Sequence, residues 1–175
     1  PIFKDTLTVI KERKILRNYT GSPRSEYEID KLLHAAIAGP AAINMKAWKF
    51  VVVTDKAVLK KLADGLPFAK MLPAAGTGIV VCAAPEEAAL GSKEFALLDC
   101  ACASENILLA AESLGLGAVW TAIYPNKEIM DFVRNELNIP QQVIPLNLIP
   151  VGYPVAGEKA KDKFEPENIY WNKWE

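Results

Sequence analysis

The sequence is poor in the residues on which most hydrolases and metalloenzymes depend. Its 175 residues include one histidine and three cysteines. The chain has no HExxH pair, no GxSxG nucleophile elbow and no glycine-rich phosphate loop. The cysteines have none of the spacings of a zinc site or a disulfide framework, which favours a reducing cytoplasm. These absences argue against a catalytic triad, a catalytic metal and a P-loop nucleotide site.

Charge and hydropathy exclude two further classes of partner. Twenty basic and twenty-one acidic residues give a net charge of −1, and no basic stripe follows the chain. We therefore expect no nucleic-acid partner. The longest apolar run falls short of the roughly 20 residues that a membrane span needs. Nothing near Pro1 resembles a signal peptide, so we expect a cytoplasmic protein with a mature or trimmed start and no membrane contact.

Apolar spacing predicts helices that alternate with strands. A capping box at Ser25 and Glu28 begins a helix, and Asp55 and Asn126 are typical helix N-caps. A long helical pattern over 94–114, apolar almost all round, predicts a buried central helix. The predicted helices end near residues 17, 37, 62, 114 and 137, and the predicted strands span 48–54, 78–83, 118–123 and 143–151. Prolines in 143–151 favour an edge position or interruptions. The order indicates one α/β or α+β layered domain.

Few side chains are candidates for acid–base or nucleophilic chemistry. His34 lies in a capped helix, where a structural role and a general base are both open. Cys100 and Cys102 have a single residue between them, so they lie on different faces of a helix, and no adjacent base favours a reactive thiol. Asp99 is either a base or a structural carboxylate.

Cationic and amide groups gather at the ends of predicted elements. Each cluster alone is typical of a solvated surface, but several convergent donors could also surround a phosphorylated ligand. The clusters are Arg13, Lys14 and Arg17 after the first helix, Asn44 and Lys46 in the following linker, and Lys161 and Lys163 in the tail.

Five segments, in this order, resemble the nitroreductase family of FMN-dependent oxidoreductases. The likeness runs from Ile10 to Trp174, nearly the whole chain. The segments are IKERKILRNYTGSP, GPAAINMKAWKFVVVTD, LDCACASENILLAAESLGLGAVWT, IPVGYP and KDKFEPENIYWNKW.

The resemblance implies an α+β nitroreductase-like fold, in which helices flank a central, mostly antiparallel sheet. It also implies an intertwined homodimer with two FMN sites at the subunit interface. Residues 1–175 would form one domain. The aromatic segment at 156–175 would be a C-terminal arm that docks on the partner subunit.

The resemblance also assigns cofactor contacts. Arg13 would hold the FMN phosphate together with the pair Lys161 and Lys163, and Arg17 would lie near the flavin N1 and O2 edge. Asn44 and Lys46 would face the ring and the ribityl chain. The full set of implied cofactor-binding residues is Arg13, Lys14, Ile15, Arg17, Asn44, Lys46, Thr121, Ala122, Ile123, Tyr124, Lys161 and Lys163.

The implied activity is hydride transfer from NADH or NADPH through flavin N5 to a small acceptor, a nitroaromatic, a quinone or an enone, by a ping-pong mechanism. The flavin would supply the chemistry, so no side chain is assigned as catalytic. Ile15, Ala41 and Lys46 replace the family's serine, serine and glutamine. The alternative is therefore a non-catalytic FMN-binding or ligand-sensing homodimer, and a third possibility is a structural homodimer without cofactor. Residues 65–76 are either part of the acceptor site or packing.

Overall fold

The computed structural model describes residues 4–22 and 25–174. The expected start at Pro1 and the final residue of the predicted arm lie outside this part of the chain.

The helices begin within one residue of their sequence signals, except for one short helix, Leu72–Ala75, which was not predicted from the sequence. They are α1 (Thr6–Glu12), α2 (Glu26–Ile37), α3 (Lys56–Gly65), α4 (Leu72–Ala75), α5 (Lys93–Ser113) and α6 (Lys127–Leu137). The predicted capping box at Ser25 is confirmed, as are the N-caps Asp55 and Asn126, because each side chain accepts a backbone N–H of the first turn. The predicted end of α1 near residue 17 is wrong. Arg13 already has an extended ψ of 135°, so the basic residues that follow Glu12 lie on a loop.

The strands of the described chain form one antiparallel sheet. They are β1 (Trp48–Val53), β2 (Thr77–Ala83), β3 (Gly117–Ala118), β4 (Thr121–Ala122) and β5 (Ile144–Gly152). The order of strands in the sheet is β1-β2-β5-β3. Strand β4 also pairs with β5, on the side where β3 lies. The single strand predicted over 118–123 is therefore two short strands that pair with different parts of β5.

The prolines of β5 do not place it at an edge, which corrects one of the two predictions made for them. β5 lies between β2 on one side and β3 and β4 on the other. The ladder shifts register where Val81 faces Asn147 and Cys82 faces Pro145, so a bulge accommodates the proline. The alternative prediction, an interruption, holds for the pairing alone, because β5 is continuous from Ile144 to Gly152 while its ladder with β2 is irregular beside Pro145.

Helices cover both faces of the sheet. On one face α2 and α5 pack against alternate residues of β2, Ile79 and Val81 among them. On the other face α3 and α6 pack against Val80 and Cys82. The period of two in a strand sends successive side chains to opposite cores. The predicted α+β class is confirmed.

Only part of α5 is buried, which corrects the prediction of a helix buried all round. Ala96, Cys100 and Ala103 are fully enclosed, whereas Leu98 is 60% exposed and Phe95 is 37% exposed. The helix thus has a second apolar face that the rest of the described chain leaves in contact with solvent. No helix in residues 4–22 and 25–174 is long and apolar enough to cross a membrane.

Candidate functional site

A cleft of about 520 Å³ lies between the end of α1 and the C-terminal segment. Arg13 and Lys14 line it from the loop after α1, and Lys161 and Lys163 line it from the tail. The two pairs of cations are far apart in sequence, and the fold brings them to one surface. The cleft is lined by six cations and by three acids, Glu12, Glu158 and Asp162. Because the positive groups outnumber the negative ones, the cleft suits an anionic ligand such as a phosphate.

Two of these cations are already paired with acids on α5. Arg13 Nε is 3.5 Å from Glu105 Oε1, and Lys14 Nζ is 3.7 Å from Glu112 Oε2. The two acids are seven residues apart, so they share one face of the helix. Lys161 and Lys163 have no ion pair within the described chain. The unpaired charge of the cleft therefore comes chiefly from the tail.

Arg17 lines a neighbouring cleft rather than this one. Its walls include Tyr19, Met71 and Glu158, and Glu158 belongs to both clefts. Burial raises the pKa of the Tyr19 phenol well above its ordinary value, so the hydroxyl stays protonated. Ile15 is 49% exposed and lines neither cleft.

The linker after α2 contains a strained turn. Residues Ala42–Asn44 form one turn of 3₁₀ helix, in which Ile43 has φ 44° and Asn44 has φ 60°. Asp99 of α5 accepts the backbone N–H of Ala42 at 3.0 Å. Asn44 and Lys46 are exposed on this linker. Asp99 is thus a structural acceptor, and sequence reasoning had left that role open.

The segment at β4 supplies mainly backbone. The Thr121 hydroxyl donates to the Leu148 carbonyl at 2.6 Å, so its only proton is already used. Ala122 is exposed and Ile123 is buried. Tyr124 is half-buried, and the Lys93 ammonium lies 5.4 Å from the centre of its ring.

Helix α5 joins the two groups of predicted contacts. Asp99 holds the linker that carries Asn44, and Glu105 pairs with Arg13. Glu105 follows Asp99 by six positions in the helix, which is about 9 Å along the axis. The structure therefore places the basic cleft and the linker along one helix, and among the described residues no hydrogen bond or ion pair joins the two directly.

The other side chains considered for chemistry have structural surroundings. His34 is exposed, and its Nδ1 lies 2.9 Å from the Asp30 carbonyl oxygen. Burial raises the pKa of Cys82 to about 12 and also raises the pKa of Cys100, which makes both thiols unreactive. No group of three histidine, cysteine or acidic residues among those described could hold a metal ion.

The nitroreductase family model matches residues 10–68 and 64–153. The chain belongs to the nitroreductase family. It is 40% identical to an inferred NADH dehydrogenase/NAD(P)H nitroreductase of Methanothermobacter thermautotrophicus, over 97% of this chain and 88% of the relative. A crystal structure of a protein of the same name from Parabacteroides distasonis matches with a TM-score of 0.91 and 44% identity, over 98% of this chain and 99% of that one. An FMN-dependent nitroreductase of Clostridium difficile matches with a TM-score of 0.86 and 25% identity, over 96% and 99%.

These likenesses confirm the family and the nitroreductase-like fold that the sequence segments predicted. They cover almost the full length of the chain and of the relatives. The contacts of individual residues with a cofactor stay predictions.

Proposed function

We propose that this nitroreductase-family protein binds FMN and transfers hydride from NADH or NADPH to a small acceptor by a ping-pong mechanism. At the level of reaction class, the sequence prediction of an NAD(P)H-dependent FMN oxidoreductase is confirmed by the names of its relatives. The nitroaromatic, quinone or enone acceptor and the ping-pong order are parts of the proposal. The cytoplasmic location stays a prediction.

The observation that carries the proposal is the convergence of cations on the cleft beside α1. Lys161 and Lys163 are unpaired in the described chain, and Arg13 is shielded on one side by Glu105. This donor set fits the phosphate of FMN, because an anion there meets free positive charge without displacing a structural hydrogen bond. Lysine gives a point charge rather than a bidentate fork, so we expect Arg13 to give the directional contact.

The remaining predicted contacts would orient the cofactor. Asn44 and Lys46, exposed on the strained linker, would approach the ring and ribityl chain, and Arg17 would supply positive charge near the ring. Bound FMN supplies a hydride acceptor at N5 and a site from which electrons pass to the second substrate. The chain's own part is to bind, to orient and to exclude water, so we assign no side chain as acid or base. Because its hydroxyl is used by Leu148, Thr121 would contribute backbone only.

We also propose a homodimer in which residues 156–175 form an arm on the partner subunit. Two exposed apolar surfaces support it. One is the outward face of α5, with Leu98 and Phe95, and the other is the tail, where the Tyr170 and Trp174 rings stack at 4.4 Å. Trp171 is 83% exposed. Exposed patches of this kind are typical of protein interfaces. A second copy of the chain would bury both.

Light scattering tests the assembly. Wild type should have the mass of a dimer, and a Trp171→Ala, Trp174→Ala variant should shift towards monomer at micromolar concentration. The double variant Lys56→Ala, Lys60→Ala, on the exposed surface of α3, is the control and should not change the mass. A monomeric wild type would reject the dimer.

Absorption spectroscopy tests the activity. Purified protein is mixed with FMN, freed of excess, and treated anaerobically with NADH and then NADPH. A retained yellow flavin that bleaches with either nucleotide supports the oxidoreductase. Retained flavin that neither nucleotide bleaches would instead support the non-catalytic binding protein, and colourless protein would reject both.

A further inference from the structure

Asp99 is a buried carboxylate that is only half satisfied. It is 3% exposed, and its Oδ1 accepts the Ala42 N–H at 3.0 Å. Its Oδ2 is fully enclosed and has no hydrogen-bond partner within the described chain. Keeping a carboxylate in such a place is costly, since each buried polar atom without a partner loses its hydration. A buried polar atom left unpaired therefore calls for a functional or structural reason.

The turn that Asp99 holds is itself unfavourable. Ile43 and Asn44 both have left-handed backbone, and a β-branched isoleucine is rarely found there. Such strain persists only where the surroundings hold it. The turn is fixed at its start by Asp99 and just beyond its end by the Ala84 N–H, which donates to the Ala47 carbonyl at 2.8 Å. Of these two anchors, only Asp99 is a side chain.

We propose that Asp99 is a positioning residue for the cofactor site: it caps the strained 42–44 turn and thereby sets the place of Asn44 and Lys46. The role of Asp99 in the apo protein is inferred from the geometry of the turn alone. Its consequence for FMN binding rests on the proposed function. An ordinary helix-packing residue at this position could be apolar, whereas a residue that holds the turn must offer an acceptor to Ala42.

Limited trypsin digestion of the apo protein tests the first part. The Lys46–Ala47 bond lies in the linker, and Lys46 is exposed. Asp99→Ala should speed cleavage of this bond by about tenfold, because the turn loses a charged hydrogen bond. Asp99→Asn keeps an acceptor oxygen and should stay within about threefold of wild type. Mass spectrometry of the peptides separates this cut from cuts elsewhere.

Ser104→Ala is the matched control on the same helix. Ser104 is fully buried, and its hydroxyl donates to the Cys100 carbonyl and accepts from Asn147, away from the linker. Its loss should lower the melting temperature without speeding cleavage after Lys46. If Asp99→Ala fails to fold, hydrogen exchange of wild type and Asp99→Asn decides. The Ala42 amide should exchange at least about tenfold more slowly than the neighbouring Ile43 amide in both proteins.

Flavin binding tests the second part and is independent of turnover. Asp99→Ala should raise the Kd of FMN and that of riboflavin by the same factor, about tenfold. The reason is that the linker would contact the ring and the ribityl chain, which FMN and riboflavin share. Asp99→Asn should restore both affinities to within about threefold of wild type.

Three results would overturn the positioning role. Asp99→Ala could be cleaved no faster than wild type, or Asp99→Asn could be cleaved as fast as Asp99→Ala. The third is an Ala42 amide that exchanges without protection. A wild-type protein that binds no flavin would reject the proposed function, yet digestion and exchange would still decide the role of Asp99. If Asp99→Ala is cleaved faster in the linker but binds both flavins with the affinity of wild type, the link between the turn and the cofactor is overturned.

Discussion

Removing two cations from the basic cleft should weaken FMN binding through its phosphate alone. In the variant Arg13→Ala, Lys163→Ala one partly shielded and one exposed donor are lost. The Arg13 side chain is 21% exposed, so its charged hydrogen bond is worth about 1.5 to 3 kcal/mol. Lys163 is exposed and contributes about 0.2 to 1 kcal/mol. The sum, about 1.7 to 4 kcal/mol, raises the FMN Kd by about 20-fold to about 900-fold.

Flavin fluorescence titration measures this effect, with riboflavin as the ligand that lacks the phosphate. The riboflavin Kd of the variant should stay within about twofold of wild type, and the FMN penalty should shrink as salt is raised. Lys56→Ala, an exposed lysine on α3 outside the cleft, should change neither Kd. An equal rise for both flavins, or an FMN Kd changed by less than about threefold, would refute the phosphate assignment.

Three further predictions concern packing and titration. Gly65→Ala should lower the free energy of unfolding in urea by about 1 to 3 kcal/mol, because a Cβ there would overlap the ring of Phe132; a gain in stability would contradict this. In the native protein a thiol reagent should label Cys102 rapidly and Cys82 and Cys100 only after unfolding, since those two are buried. Stability should fall from about pH 9 towards pH 12, because unfolded thiols ionise while native Cys82, with a pKa of about 12, keeps its proton. The slope from Cys82 is at most about 1.4 kcal/mol per pH unit, and a Cys82→Ala variant should lose that part of it.

Local signals in the sequence were sufficient for the starts of helices and for the family. Ser25, Asp55 and Asn126 cap helices because a short polar side chain reaches the N–H groups of the next turn, and that needs no tertiary partner. Ends of elements were less certain. Helix α1 stops at Glu12, five residues before the predicted end. The chain then turns away from the helix, and the Leu16 N–H donates to the Ala118 carbonyl beside the sheet.

The site shows the same division. The order of motifs along the chain was enough to name Arg13, Lys161 and Lys163. It could not predict that they share a cleft, because nearly 150 residues of sequence separate Arg13 from the two lysines. The pairing of Arg13 with Glu105 was missed altogether, since a long-range ion pair leaves no spacing signal in one sequence. The position of β5 inside the sheet was also missed. A proline in the sequence shows that one backbone N–H donor is missing from the strand. Only the paired sheet shows that a bulge accommodates the proline.

The sequence by itself determined the helix caps, the alternation that sends strand side chains to two cores, and membership of the nitroreductase family. Each depends on residues close together in the chain or on motifs in a fixed order. The tertiary structure alone decided that the basic loop and the tail meet, that Asp99 holds the 42–44 turn, and that one face of α5 stays open. Those features depend on which distant segments come into contact, and that is set by the packing of the whole domain rather than by any local pattern.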